Sequence, residues 1–155
     1  MSAEEAIASP ALPTTVDMVT ALHACDTATD DAIRCALQRR AACLVVVPCC
    51  QAEVAALLRS RKSETLARTA LAELWRHPMH TREFGSLVTN VLRCLQLEAH
   101  GYRVAVTELV GWEHSLKNEL VVARYTGSRR GDARLRIEQI LDALNLDELG
   151  ERFLF

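Results

Sequence analysis

The sequence predicts an α/β fold, and three patterns carry that prediction. Residues 16–22 and 44–47 are short, near-continuous apolar runs, and a helical pattern spans residues 30–40 between them. Strand, helix and strand at this length make a βαβ unit, whose parallel strands are covered on both faces and joined by a right-handed crossover. Residues 83–100 form the clearest amphipathic helix, with Phe84, Leu87, Val88, Val91, Leu92 and Leu95 at i, i+3, i+4, i+7, i+8 and i+11. Residues 102–110 and 119–125 read as strands. The connection between them is too short for a crossover helix, so they pair as an antiparallel hairpin.

In chain order, residues 1–15 are small, carry Pro10 and Pro13, and read as a flexible N-terminal segment. The first strand, 16–22, stops at His23-Ala24-Cys25-Asp26-Thr27. Thr29 is the expected N-cap of the following helix. Asp30 and Asp31 fall in its first turn and Arg39 and Arg40 in its last, complementing the helix dipole at both ends. The second strand, 44–47, stops at Pro48-Cys49-Cys50-Gln51. Val54, Leu57 and Leu58 give a short apolar helix face. Ser63 caps a further helix with Leu66, Ala70, Leu71 and Leu74, which Pro78 ends. His77 and His80, in that breaker region, read as solvated loop residues before they read as a metal pair. Gly101 sits where a left-handed helix cap belongs. A last helix over 134–144 places Ile137, Ile140, Leu141 and Leu144 on one side, and Leu146, Leu149, Phe153 and Leu154 extend the apolar character.

Length and composition fit a single globular domain: 155 residues, half hydrophobic and a quarter charged. A net charge of -2 gives no bulk attraction for nucleic acid. Arg129, Arg130, Arg134 and Arg136 cluster late in the chain, and a solvated helix face explains them more simply than a binding patch. Six cysteines without a signal peptide read as reduced thiols of a cytoplasmic protein. No apolar run approaches a membrane span.

The chemistry concentrates where the strands end. Parallel strands deliver their tails to one sheet edge, and open α/β sheets bind ligands at that carboxyl edge. His23, Cys25, Asp26, Cys49 and Cys50 are therefore expected neighbours. The polar loop Glu113, His114, Lys117 and Asn118 joins them, because the strand feeding it runs the same way. A thiolate after Pro48 could act as a nucleophile, although packing explains Cys49 and Cys50 at least as well. His23-Ala24-Cys25 with Pro48-Cys49-Cys50 has a faint likeness to the zinc deaminase pattern. It fails there twice, at Cys25 and at Ala52, and no metal set is assigned.

The stretches HACDTATDDA, VVVPCCQ and EHSLKN, in this order, resemble the methyltransferase-like family that includes the ribosomal-RNA-adenine-dimethylase-domain-containing proteins. The resemblance covers roughly residues 16–126. Departures are Ser115 and Leu116 for Thr and Pro, and Asn90 where the family usually has Asp before Arg93. It implies a Rossmann-like class I fold that binds S-adenosylmethionine. The six glycines form no G-x-G and none follows an early strand. By resemblance, then, the chain is the carboxyl half of that domain, with sheet order 4-5-7-6, a terminal antiparallel hairpin and flanking helices. Residues 16–126 form the partial methyltransferase domain and 127–155 a helical extension.

The expected roles follow. His23 and Asp26 are catalytic, as orienter or base and as proton acceptor. His23, Ala24 and Cys25 touch the cofactor. Cys49, Cys50, Glu113, His114, Lys117 and Asn118 touch the substrate, with RNA the implied class. The structural alternative is that His23 and Asp26 only brace their loop. The half-domain is expected to be inactive without the missing cofactor-binding half. Its open first strand is expected to pair with that half or with a second copy. A non-catalytic protein-interaction module is the competing reading.

Overall fold

The computed structural model describes residues 12–48, 51–60, 70–111 and 118–155. They form a four-stranded mixed sheet, five α-helices and two 3-10 helices. The order of elements is β1 (Met18–Ala24), α1 (Thr27–Gln38), β2 (Cys43–Pro48), α2 (Glu53–Ser60), a 3-10 helix (Ala70–Trp75), α3 (Pro78–Ala99), β3 (Tyr102–Glu108), β4 (Glu119–Tyr125), α4 (Ala133–Ala143), a second 3-10 helix (Asp147–Leu149) and α5 (Gly150–Phe153). Two compact units result: residues 1–50 with 97–130, and residues 51–96 with 131–155.

The sheet lies in the first unit, in the order β1-β2-β4-β3. β1 and β2 are parallel, Met18 opposite Cys43 and Leu22 opposite Val47. β4 is antiparallel to both neighbours, Val45 opposite Val122 and Ala105 opposite Val122. The βαβ unit and the late hairpin are therefore present, and β1, β2 and β3 all point the same way.

The two faces of this sheet differ sharply. Register places Leu44, Val46, Val121, Ala123 and Tyr102 on one face, each at most 3 % exposed. Helix α1 supplies Ile33 and Ala36, also fully buried, as expected of its apolar stripe. The opposite face begins with Met18 and Leu22, 56 % and 63 % exposed. This corrects the expectation that β1 is covered on both sides. β1 is an edge strand with one row of side chains in solvent.

Tyr102 fastens the start of β3. Its hydroxyl donates to Ala41 O at 2.8 Å, and its ring meets Tyr125 edge-on at 5.3 Å. Burial pushes its phenol pKa up, and the neighbouring Tyr125 adds to the shift. Gly101 takes φ +89°, its N–H bonded to Glu98 O as a helix cap requires. A Cβ there would lie 3.3 Å from the Gly127 backbone.

The second unit is held by helix contacts. Gly85 of α3 lets α2 approach closely: a Cβ would meet Ala55 N at 2.8 Å. Arg152 pairs with Glu53, and Gln96 Nε2 donates to Arg152 O at 2.9 Å, tying α5 to α2 and α3. Ile137, Leu141, Leu146, Leu149 and Phe153 are buried.

Several element boundaries differ from expectation. β1 starts and ends two residues late, so His23 and Ala24 belong to the strand. Thr29 is not the N-cap of α1. Asp26 holds that position, Thr29 lies inside the helix, and Arg39 and Arg40 fall beyond its last turn. Pro78 opens α3 rather than ending a helix, since a first-turn proline has no N–H to lose. His80 consequently lies in the first turn of α3, its ring edge-on to His77 at 5.4 Å. Leu87 and Val91 of α3 are exposed, as are Leu71 and Leu74. Ser63 and Leu66 lie outside the described residues. Among the described residues no helix is long and apolar enough to cross a membrane.

Candidate functional site

The carboxyl ends of β1, β2 and β3 share one rim, because the three strands are parallel in direction. His23 and Ala24 end β1, Pro48 ends β2, and Glu108 of β3 faces Glu119 of β4. Cys49, Cys50, Glu113, His114 and Lys117 lie outside the described residues. The rim is thus described at His23 to Asp26, at Pro48 and at the base of the hairpin loop.

The segment after β1 carries unusual backbone. The β1–β2 register shifts between Leu22 and Ala24, which sets His23 in a bulge at φ 55°. Asp26 has φ 49° and ψ -119°. Left-handed φ at two non-glycine residues within four positions costs on the order of 1–3 kcal/mol each, and such strain gathers at functional sites. Bulges beside such sites re-aim a side chain; here His23 is left exposed.

Local hydrogen bonds hold this shape. Thr29 Oγ1, 1 % exposed, donates to Ala24 O at 2.8 Å, and Ala28 N donates to Cys25 O at 3.1 Å. Cys25 is exposed, its thiol 3.8 Å from His23 O. Thr29 is the rim residue that sequence reasoning misassigned. Its type signals local backbone bonding, but the bond reaches back across the loop instead of capping the helix.

At the hairpin base, Asn118 is buried. Its amide donates to Val110 O at 2.5 Å, and Leu109 N donates to Asn118 O at 2.8 Å. The side chain thus closes the loop base. Glu108 and Glu119, opposite one another, were read only as strand residues.

Gln51, which ends the PCCQ stretch, belongs to the second unit and is buried there with Asn90 and Arg93. Gln51 Nε2 donates to Asn90 Oδ1 at 2.8 Å, Ser86 Oγ donates to Gln51 Oε1 at 2.7 Å, and Arg93 Nη1 donates to Asn90 Oδ1 at 3.2 Å. With the Gln51 amide turned over, its oxygen also accepts from Arg93 Nη1, at 2.9 Å. Asn90 therefore still receives the arginine, through an amide oxygen in place of the acid the resemblance leads one to expect.

A nucleoside-bearing methyl donor needs a close-approach turn and an acid for its ribose hydroxyls. The described residues do not make such a cradle by themselves. Gly101 and Gly127 sit at the other end of the sheet and Gly85 within α3, so no glycine follows β1 or β2. Among the described residues, no group of three or more His, Cys, Asp or Glu is arranged to hold a metal ion. The late arginines are paired locally, Arg130 with Glu98 at 2.8 Å, Arg136 with Asp132 at 3.3 Å and Arg134 with Glu138 at 3.8 Å.

A family model described as a methyltransferase domain matches residues 1–57. That span contains the whole βαβ unit, including the strained His23–Asp26 segment, and the first turn of α2. The match suggests methyl transfer in general. Comparison with curated proteins and with solved structures gives no match.

Proposed function

We propose that the chain contributes the substrate-side part of a cytoplasmic S-adenosylmethionine-dependent methyltransferase acting on RNA. The observation that carries this reading is the strained, bulged end of β1 inside the span matched by the methyltransferase-domain model. In a class I fold the first strand here would be the fourth, and the order β1-β2-β4-β3 corresponds to 4-5-7-6. Asp26 is the candidate proton acceptor and His23 orients it or acts as base. Ala24 and Cys25 form the backbone wall beside the donor. Cys49, Cys50, Glu113, His114, Lys117 and Asn118 are the candidate acceptor contacts, Asn118 through the loop base that it closes. The glycine turn and ribose acid come from a further segment, which the open edge of β1 receives.

The test is transfer of labelled methyl groups to RNA by the chain supplemented with the upstream half of a homologue. His23→Ala and Asp26→Asn are expected to lower the rate at least about 100-fold while donor binding is retained. Unchanged rates in both variants sink the assignment. The exposed row at Met18 and Leu22 favours a second reading, a non-catalytic module that pairs through β1. Association without any transfer activity would select it.

A further inference from the structure

The sheet has a second open edge that the rim reading leaves unused. Among the described residues β3 pairs with β4 alone. Leu109 N donates to Asn118 O, so Thr107, Ala105 and Arg103, at every second position before Leu109, also turn their N–H and C=O toward β4. Tyr102, Val104, Val106 and Glu108 turn theirs outward. Between Arg103 and Glu108 the strand reads Val104-Ala105-Val106-Thr107, with no charge, no proline and no bulge in its register with β4. Those are the devices that blunt an open edge. Val106 is 54 % exposed, although it lies directly opposite buried Val121.

The two ends of this edge carry opposite charge. Arg103 faces Arg124 at one end of the hairpin, and Glu108 faces Glu119 at the other. Like charges directly opposite each other repel. A second copy laid antiparallel along β3 brings its glutamate end to the arginine end of the first, and the reverse. Parallel addition would set arginine beside arginine. The charge layout of one edge is therefore complementary to itself, in one orientation.

We propose that two copies of the chain pair antiparallel through β3, about a two-fold axis perpendicular to the sheet, joining their sheets into one. An axis at Ala105 engages all seven residues of β3. Val104 then exchanges both backbone hydrogen bonds with Val106 of the second copy, and Tyr102 does so with Glu108, because all of these groups point outward. Each exposed Val106 gains a valine neighbour on the same face. Ala105 meets its own copy in a pair without hydrogen bonds, where Cα atoms approach to about 4.5 Å and a small side chain fits. Arg103 and Glu108 of the second copy have Cα atoms roughly 6 Å apart, inside a screening length of about 8 Å. Their side chains leave opposite faces, so this attraction orients the two copies without making a cross-strand ion pair. The β1 edge stays open for the further segment, and the pairing does not depend on methyl transfer.

The experiment is sedimentation equilibrium of the full chain over a concentration series. A strand-only interface is small, so a dimer dissociating at roughly 10–100 μM is expected. Val106→Pro removes an outward N–H, a change that an edge strand tolerates, and is expected to weaken association at least about tenfold. Arg103→Glu and Glu108→Lys each bring like charges together between the copies and are expected to weaken it about fivefold. The double variant Arg103→Glu/Glu108→Lys restores opposite signs and should return to within about twofold of wild type. Leu22→Lys, on β1, should leave association unchanged. Circular dichroism confirms that each variant is folded, and Val104→Pro replaces Val106→Pro if that one is not. A chain still monomeric at about 1 mM would overturn the proposal. So would association that survives the proline variant, that Leu22→Lys abolishes, or that the charge-swapped double variant fails to restore.

Discussion

The two ends of the sheet meet the same backbone problem with different residues. At the amino end the chain turns at the β3–β4 corner with positive φ at two glycines, Gly101 at +89° and Gly127 at +76°, while Arg40, ahead of β2, takes φ 50°. At the carboxyl rim it does so at His23 and Asp26, which carry side chains. Glycine makes such a turn at no steric cost, whereas other residues do not. The glycine corner avoids that cost, and the rim retains side chains at strained positions, the ones proposed to carry chemistry. Charge separates the ends too. The β3–β4 hairpin has Arg103 opposite Arg124 at one end and Glu108 opposite Glu119 at the other.

The sharpest test of this contrast is Gly101→Ala. The substituted Cβ meets the Gly127 backbone and the residue must hold φ +89°. A loss of about 2–3 kcal/mol is expected in denaturant unfolding. A loss below 0.5 kcal/mol would show that the corner relaxes freely.

Tyr102→Phe comes next, with a loss of about 1–2 kcal/mol, because Ala41 O is left buried without its donor. The wild-type dependence on pH has a definite sign. The folded phenol pKa lies above its ordinary value of 10.0, so the fold prefers the neutral form. The contribution is fully present below about pH 10 and is lost as pH rises through the folded value. Phe at this position should flatten the alkaline limb, which pH-jump unfolding would read.

His23→Gly is the rim counterpart and should act in the opposite direction. Relief of left-handed strain is expected to raise stability by up to about 1 kcal/mol, offset in part by greater freedom of the unfolded chain. If His23 has the proposed role, the same change is expected to lower methyl transfer by the supplemented protein at least about 100-fold. A destabilised His23→Gly would mean that the side chain braces the loop.

The smallest effects separate the two charge pairs. Arg103→Glu and Glu108→Lys each turn a like pair into an opposite one, worth roughly 0.2–1 kcal/mol. Their stability gains should match.

Much of this architecture was legible in the sequence. The apolar runs of β1 and β2, the Gly101 cap and the short link between β3 and β4 each have one dominant physical cause, and those elements appear within two residues of expectation. Burial was less legible. Leu87 and Val91 fit the helical period yet face solvent, while Thr81, Asn90, Arg93 and Gln96 of the same helix are buried. Periodicity reports a face, and polar partners such as Gln51 and Ser86 allow another face to go inside. The shared direction of the strands that end at the rim was legible, while Cys49, Cys50 and residues 113–117 lie outside the described residues. The strain after β1 was not legible, since nothing in HACD announces a bulge. The pairing of Arg103 with Arg124 was invisible because the two face each other only through strand register. The arginines clustered at 129–136 drew attention, and three of them are paired with carboxylates, Arg130 with Glu98, Arg134 with Glu138 and Arg136 with Asp132.

As proposed, the rim is one wall of a methyl-donor site whose glycine turn and ribose acid come from a further segment. Calorimetric titration with S-adenosylmethionine tests that directly. The chain alone should give no binding heat, and the chain with a homologue's upstream half should bind one equivalent, with the His23→Ala variant still binding. No binding by the supplemented protein would contradict the account.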